Sequence, residues 1–408
     1  MSNPRSLQPR RRNDRQAPRP FHTARSINLP AMRPLTPGGL SWRGRGPFFA
    51  PLVAAFLLIA AAATTLYGMS LTSTSSESPD PGGAVRDGVT ISGTIAIVRD
   101  GAVWGVTGDQ IVQLTRGTTD GEIAWSRAGD WLYFIRQRDA TGTRRNYDGS
   151  TTDLKMRVPT LFQIPVGGGA EESLLDGLVS QGGSLTNSAF IFDPAPGPGG
   201  SIYLSTDYRG PSGSGDIGSD VIIRYLQPSG RVLAPGFPDS APFGQQDPAW
   251  NSAETQLYYV QNGSGAKDSV SRIIAYDVAN ATTRFFSGRG FIEPAPSPDG
   301  RWIAATRLTT KGTDVVILDA LSGNVVAEVT RNGRSWSPAW SPDGTSLAFL
   351  VPLGSRAALE VASVSTAGGV PTIAASVRVL RDPVDPGVRP AWGPRAASGL
   401  APSVSPSP

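Results

Sequence analysis

The chain has 408 residues, with 48 Gly, 36 Pro, no Cys, one His and a net charge of +4. The missing Cys excludes disulfides, thiol nucleophiles and Cys-ligated metals. The lone His22 lies near the N-terminus, so the rest of the chain holds no Ser-His-Asp triad, no His-ligated metal and no His general base.

Residues 1–46 carry ten Arg and one Asp, a charge of +9, which leaves −5 for the remainder. The basic balance therefore describes the N-terminal segment, and a nucleic-acid reading of the rest is excluded. This segment is Pro-rich and lacks apolar periodicity, the composition of a disordered cytoplasmic tail. The run Arg10-Arg11-Arg12 reads as a solvated stretch that sets topology, with a lipid-head-group or nucleic-acid contact as the alternative. Residues 47–69, PFFAPLVAAFLLIAAAATTLYGM, hold no charge from Phe48 to Met69. As a helix they rise about 1.5 Å per residue and span roughly 33 Å, enough for a bilayer core. Arg43 and Arg45 orient this transmembrane helix with the N-terminus inside and everything after about residue 70 outside the cytoplasmic membrane. A cleavable signal peptide is the alternative, but the long segment before the apolar run favours an uncleaved, single-pass anchor. Residues 70–89 are a flexible Ser/Pro/Gly linker.

From residue 90 to 397 the sequence repeats. One half of each unit is an anchor, a turn and an apolar strand: IAWSRAGDWLYFI, FIFDPAPGPGGSIYLS, PAWNSAETQLYYV, PAPSPDGRWIAAT, PAWSPDGTSLAFL and a final, strandless PAWGPR. The anchors are Trp125, Phe192, Trp250, Pro296, Trp340 and Trp392. An apolar residue follows seven positions later at Leu132, Leu257, Ile303 and Leu347; the Phe192 unit needs three more residues. The other half is a hairpin with a Gly- or Asn-containing turn, and six are present. PAWGPR lacks its following strand, and TIAIVRDG at Thr94 lacks an anchor. Joined, they make one blade and close a ring without open sheet edges. The expected fold is all-β, a six-bladed β-propeller closed by N- and C-terminal strands of one blade, with a disordered tail at 398–408.

The W-S-P-D-G motif of Trp340 to Gly344, followed by the strand Leu347-Ala348-Phe349-Leu350, resembles the repeat of TolB-like propellers, a bacterial envelope family. The resemblance covers about three-quarters of the chain and is near-complete again at Pro296 to Gly300. It implies a propeller of the kind found in envelope adaptors and in the non-catalytic domains of some peptidases.

The repeated Trp residues read as wedges between blades. Asp299-Gly300 and Asp343-Gly344 read as tight turns, in which Gly supplies positive φ and Asp bonds the nearby backbone. Asp220 and Asp314 stand at matching places as loop-bonding residues. Gly167-Gly168-Gly169 is a hairpin turn with no P-loop Lys. Asp382 and Asp385 lack calcium-loop spacing. Neither metal nor cofactor is expected.

The pattern breaks in two long loops, one from Arg136 to Pro159 and one from Thr206 to Asp220. Long loops on a rigid scaffold are common recognition sites. The first offers Arg144, Arg145, Tyr147 and Asp148 as binding residues. The expectation is a monomeric, non-catalytic scaffold displayed outside the cytoplasmic membrane, binding a protein or an envelope component, with the loops facing away from the membrane. The alternatives are a carbohydrate-active enzyme or small-ligand sensor using the central channel, and a transmembrane sensor signalling through the Arg-rich tail.

Overall fold

The computed structural model describes residues 91–180, 186–208, 217–237, 244–263, 270–395 and 397. The N-terminal tail, segment 47–69 and the linker lie outside these residues. Among the described residues no helix is long and apolar enough to cross a membrane.

Strands β1 (Ile91–Arg99), β2 (Ala102–Gly108) and β3 (Gln110–Gln113) belong to blade 1. Blade 2 holds β4 (Asp120–Trp125), β5 (Trp131–Arg145), β6 (Thr151–Pro165) and β7 (Glu172–Asp176), and is followed by a short hairpin, β8 (Leu178–Ser180) and β9 (Thr186–Ser188). Blade 3 holds β10 (Ile191–Pro196), β11 (Ile202–Tyr208), β12 (Ile217–Leu226) and β13 (Val232–Leu233). Blade 4 holds β14 (Gln245–Trp250), β15 (Gln256–Gln261), β16 (Arg272–Asp277) and β17 (Thr282–Arg289). Blade 5 holds β18 (Phe291–Pro296), β19 (Trp302–Thr309), β20 (Gly312–Asp319) and β21 (Val325–Glu328). Blade 6 holds β22 (Trp336–Trp340), β23 (Ser346–Leu353), β24 (Arg356–Ser365), β25 (Thr372–Ile373) and β26 (Val377–Arg378). The last strand, β27 (Ala391–Gly393), pairs with β1 through Thr94↔Gly393, Ile95↔Trp392 and Ala96↔Ala391, so blade 1 runs β27-β1-β2-β3. The closure expected from PAWGPR is present, and the fold is a six-bladed propeller.

The core lies between blades. Side chains alternate across a strand, and both faces of each blade are covered by neighbours. In β5, Leu132 and Phe134 pack with Ala96, Val98 and Val103 of blade 1, whereas Tyr133 and Ile135 pack with Ile202 and Leu204 of blade 3. In β23, Leu347 and Phe349 face blade 5 while Ala348 and Leu350 face blade 1. A strand buried on both sides reads as a continuous apolar run, which is why LAFL and LYYV stand out in the sequence.

The anchor residues behave as wedges. Trp125 Nε1 donates to the Ala391 carbonyl at 3.0 Å, and Trp340 Nε1 donates to that of Ala295 at 3.0 Å, each crossing to the preceding blade. Turns after the anchors are capped by the next side chain. Ser341 Oγ accepts the Ser346 N–H, and Asp343 accepts from Ser341 Oγ and the Thr345 N–H, with Gly344 at φ 71°.

Three expectations need correction. Phe192 is not the blade 3 anchor: Ala195↔Tyr203 and Pro196↔Ile202 align Pro196 with Trp250, whose partner is Leu257. Phe192 instead stacks on Phe190 at 5.6 Å. The interval after Pro196 is one residue shorter than in the other blades, not three longer. The stretch from Arg136 to Pro159 is not a loop. It is the distal part of a β-hairpin, in register from Trp131↔Pro165 to Arg145↔Thr151. The second long loop is partly strand, with Tyr208↔Ile217 as its outermost pair; residues 209–216 lie outside the described residues.

Candidate functional site

Five of the six inner strands carry a β-bulge just before the anchor. The register shifts fall at Gly121/Ala124, Phe192/Ala195, Gln246/Ala249, Ile292/Ala295 and Trp336/Ala339. A bulge leaves a residue outside the ladder, so Pro194, Pro248, Pro294 and Pro338 sit there without forfeiting a strand hydrogen bond. The residue before this position has positive φ: Glu122 at 44°, Asp193 at 49°, Asp247 at 54°, Glu293 at 55° and Ser337 at 57°. Left-handed backbone is uncommon outside Gly, and its recurrence in five blades makes it part of the repeat. In blade 1 the same sequence place, before Pro390-Ala391-Trp392, holds Arg389.

These side chains converge on the propeller axis. The Asp247 N–H donates to Asp193 Oδ2 at 3.2 Å, the Glu293 N–H to Asp247 Oδ2 at 3.1 Å and the Ser337 N–H to Glu293 Oε2 at 2.8 Å. Each carboxylate thus accepts the main chain of the next blade. Ser205 Oγ supports Asp193 at 2.7 Å, Thr306 Oγ1 supports Glu293 at 2.5 Å, and Ser337 Oγ supports Glu293 at 2.8 Å. Arg389 lies 3.8 Å from Asp247, and the Glu122 carboxylate makes no hydrogen bond among the described residues.

Four carboxylates face one guanidinium. Burial, reinforced by Asp193, Asp247 and Glu293 against the pull of Arg389, pushes Glu122 up to about 8. Burial together with Asp193 and Glu293, opposed by Arg389, pushes Asp247 up to about 7. Burial works against the charge on Arg389, but Asp247, Glu293, Asp193 and Glu122 more than offset it and hold its pKa above the usual value. The ring therefore retains protons near neutrality. Among the described residues no three His, Cys, Asp or Glu side chains are grouped so as to hold a metal ion.

The second feature is the ribbon of blade 2. β4 stops pairing at Asp120↔Arg136 and β7 stops at Thr160↔Asp176, yet β5 and β6 continue together to Arg145↔Thr151. Nine residues at about 3.3 Å each carry the two-stranded arm roughly 30 Å beyond the blade. Its base is braced by Arg136, bound to Asp120 and Glu171, and by Arg138, bound to Asp176 and Thr160. Directly paired residues share a face. Ala140/Met156 and Gly142/Leu154 form an apolar side, while Thr141/Lys155 and Thr143/Asp153 form a polar one.

At the tip, the Asn146 N–H donates to the Ser150 carbonyl at 2.8 Å, and Gly149 takes φ 84°. Asp148 accepts from Ser150 Oγ at 2.6 Å and from the Ser150 N–H at 2.9 Å, and these bonds hold its carboxyl below the usual range. Asp148 is thus a turn residue. Tyr147 is fully exposed, and the side chains of Arg144, Arg145 and Tyr147 make no hydrogen bond or ion pair among the described residues. The structure brings the four expected residues to one tip and separates their roles.

The ribbon leaves by the face bearing the connections between blades. The chain enters at β1 and departs after β27 on the opposite face, where Arg395 Nη1 meets Asp130 at 2.8 Å in the turn of blade 2.

No protein-family model matches the chain, and no curated protein does. Its structure is similar to that of TolB from Acinetobacter baumannii, with 18% identity and a TM-score of 0.51 over 75% of this chain and 68% of that one. It is also similar to a putative TolB from Agrobacterium tumefaciens, with 15% identity and a TM-score of 0.45 over 75% and 95% of the two chains. An oligogalacturonate lyase in complex with manganese matches with 11% identity and a TM-score of 0.40 over 67% and 83%. At such identities the first likeness establishes the propeller fold, and the others carry no argument.

Proposed function

We propose that this protein is a non-catalytic scaffold that binds a protein or envelope component through the ribbon of blade 2. The observation that carries this reading is the ordered arm ending in Arg144, Arg145 and Tyr147, three side chains with no partner among the described residues. Exposed Tyr and Arg are the residue types most enriched in binding hot spots. The apolar run 47–69 supports the further reading that the propeller is anchored in the cytoplasmic membrane and displayed outside it. The ribbon, opposite the point of chain entry, then faces away from that membrane.

A photocrosslinking residue in place of Tyr147 in the full chain, used in living cells, tests the scaffold reading. A discrete adduct, lost when the ribbon is shortened, is expected; no adduct at Tyr147 overturns it. Proteolysis of spheroplasts tests topology, because digestion of residues 1–46 from outside refutes the orientation.

The axial ring supports a second reading, a carbohydrate-active enzyme or small-ligand sensor. Carboxyls held up to about 8 and about 7 stand in the range a general acid needs near neutral pH. Glycan cleavage by the purified chain, abolished by Glu122→Gln, would establish it; an unchanged glycan panel would refute the enzyme.

A further inference from the structure

The axial ring is not knitted evenly. Three successive junctions, from blade 3 to blade 6, are bridged at the axis by a carboxylate accepting the next blade's N–H. Among the described residues the other three junctions have no such bond, and of these the one between blades 2 and 3 sets two carboxylates side by side. There Glu122 and Asp193 come from adjacent inner strands, and Glu122 makes no hydrogen bond among the described residues. Two neighbouring carboxylates without a bridging donor are held together most readily when one carries a proton.

We infer that the axial edge of the junction between blades 2 and 3 is a proton-controlled seam, closed while Glu122 holds a proton beside Asp193 and loosened when that proton is lost.

The surroundings of Glu122 leave little else to respond. On its own strand, Asp120 is occupied by Arg136 and by Thr115 Oγ1. β5 contributes Arg136, committed to Asp120 and Glu171, and Tyr133. β10 contributes Asp193. β2 and β27 carry no charged residue, and the one charged residue of β1, Arg99, is bound to Asp382. Across the axis stand Asp247, Glu293 and Arg389. Arg389 lies nearest Asp247, so its charge is not dedicated to this pair. Burial and Asp193 push Glu122 up to about 8, so the change is complete in the mildly alkaline range. A carboxyl with a raised folded pKa contributes most below its ordinary pKa, and that contribution is lost as pH rises through the folded value.

Blade 2 also bears the ribbon, so the seam would regulate how rigidly the proposed binding arm is carried. The seam itself does not depend on what the ribbon binds.

Hydrogen–deuterium exchange on the full chain at pH 6.5 and pH 9, corrected for intrinsic base catalysis, tests the inference. Protection in β4 and β10 should fall by up to about tenfold per pH unit from pH 6.5 towards the folded value and level off above it. Protection in β22, whose junction Glu293 bridges, should fall only as far as global stability does. Glu122→Gln should abolish the excess loss in β4 and β10, and Asp193→Asn provides the same test should the first variant not fold. Equal changes in all inner strands, no change in β4 and β10, or an excess in β4 and β10 surviving in a folded variant would overturn it.

Discussion

Two positions of the repeat, the anchor and the residue three places before it, do different work. Trp340 is 6% exposed, fills the junction between blades 5 and 6, and donates to the Ala295 carbonyl. Trp340→Ala removes a large buried ring and leaves that carbonyl without its donor, so a loss of about 3–5 kcal/mol is expected from the midpoint of urea unfolding. Trp340→Phe keeps most of the volume and should cost less, roughly 1–3 kcal/mol, mainly for the unsatisfied carbonyl. Three positions earlier stands Ser337, and its counterparts Glu122, Asp193, Asp247 and Glu293 put charge on the axis. Glu122 and Asp247 have folded pKa values of about 8 and about 7, both raised. The carboxyl contribution is therefore complete below the ordinary carboxylate range and declines as pH rises through 7 to 8. Global stability measured by urea unfolding should fall between pH 6 and pH 9, and Asp247→Asn should flatten the lower part of that fall. A profile that rises over the same interval would contradict the assignment.

Among the elements, the ribbon separates stability from recognition. Beyond Ala140↔Met156 it packs into none of the hydrophobic clusters between blades. Replacing residues 141–155 by Asn-Gly, a turn suited to a two-residue hairpin, should leave the melting temperature within a few degrees while removing any crosslinking seen at Tyr147. Calorimetry and the crosslinking blot together check this. The sequence made the blades readable because both faces of each strand are buried and the turns use Ser, Asp and Gly in fixed order. It concealed the ribbon because a two-stranded arm in solvent needs no continuous apolar run; Thr, Arg and Asp between Gln137 and Asp153 look like loop, and only Leu154, Met156 and Val158 keep a period of two. Phe192 drew the anchor away from Pro196 because the position carries Pro where its counterpart in blade 4 carries Trp. The axial ring left a signal that the anchors obscured. Aligning the repeats on Ala124, Ala195, Ala249, Ala295, Ala339 and Ala391 shows Glu, Asp, Asp, Glu, Ser and Arg in one column two residues earlier.

At the scale of the whole molecule, closure rests on a short strand doing several things at once. β27 has three residues, yet it covers the edge of β1, places the Ala391 carbonyl under Trp125 and begins two residues after Arg389. Gly393 lies so close to the Trp125 ring that a Cβ would sit 2.6 Å from it. Gly393→Ala must push the closing strand away from blade 2, and overpacking of this kind costs typically about 1–3 kcal/mol. Ending the chain after Val388 goes further. It removes Arg389 from the axial ring, leaves its four carboxylates facing one another, strips the acceptor from Trp125 and exposes the edge of β1. Such an edge is a template for pairing with another chain. The shortened protein should lose cooperative unfolding and migrate as larger assemblies in size-exclusion chromatography. Gly393→Ala, in contrast, should stay assembled as the full chain is, with a lowered unfolding midpoint. If the chain ending at Val388 unfolded as cooperatively as the full chain, β27 would be an ornament on a five-bladed core rather than the element that closes the ring.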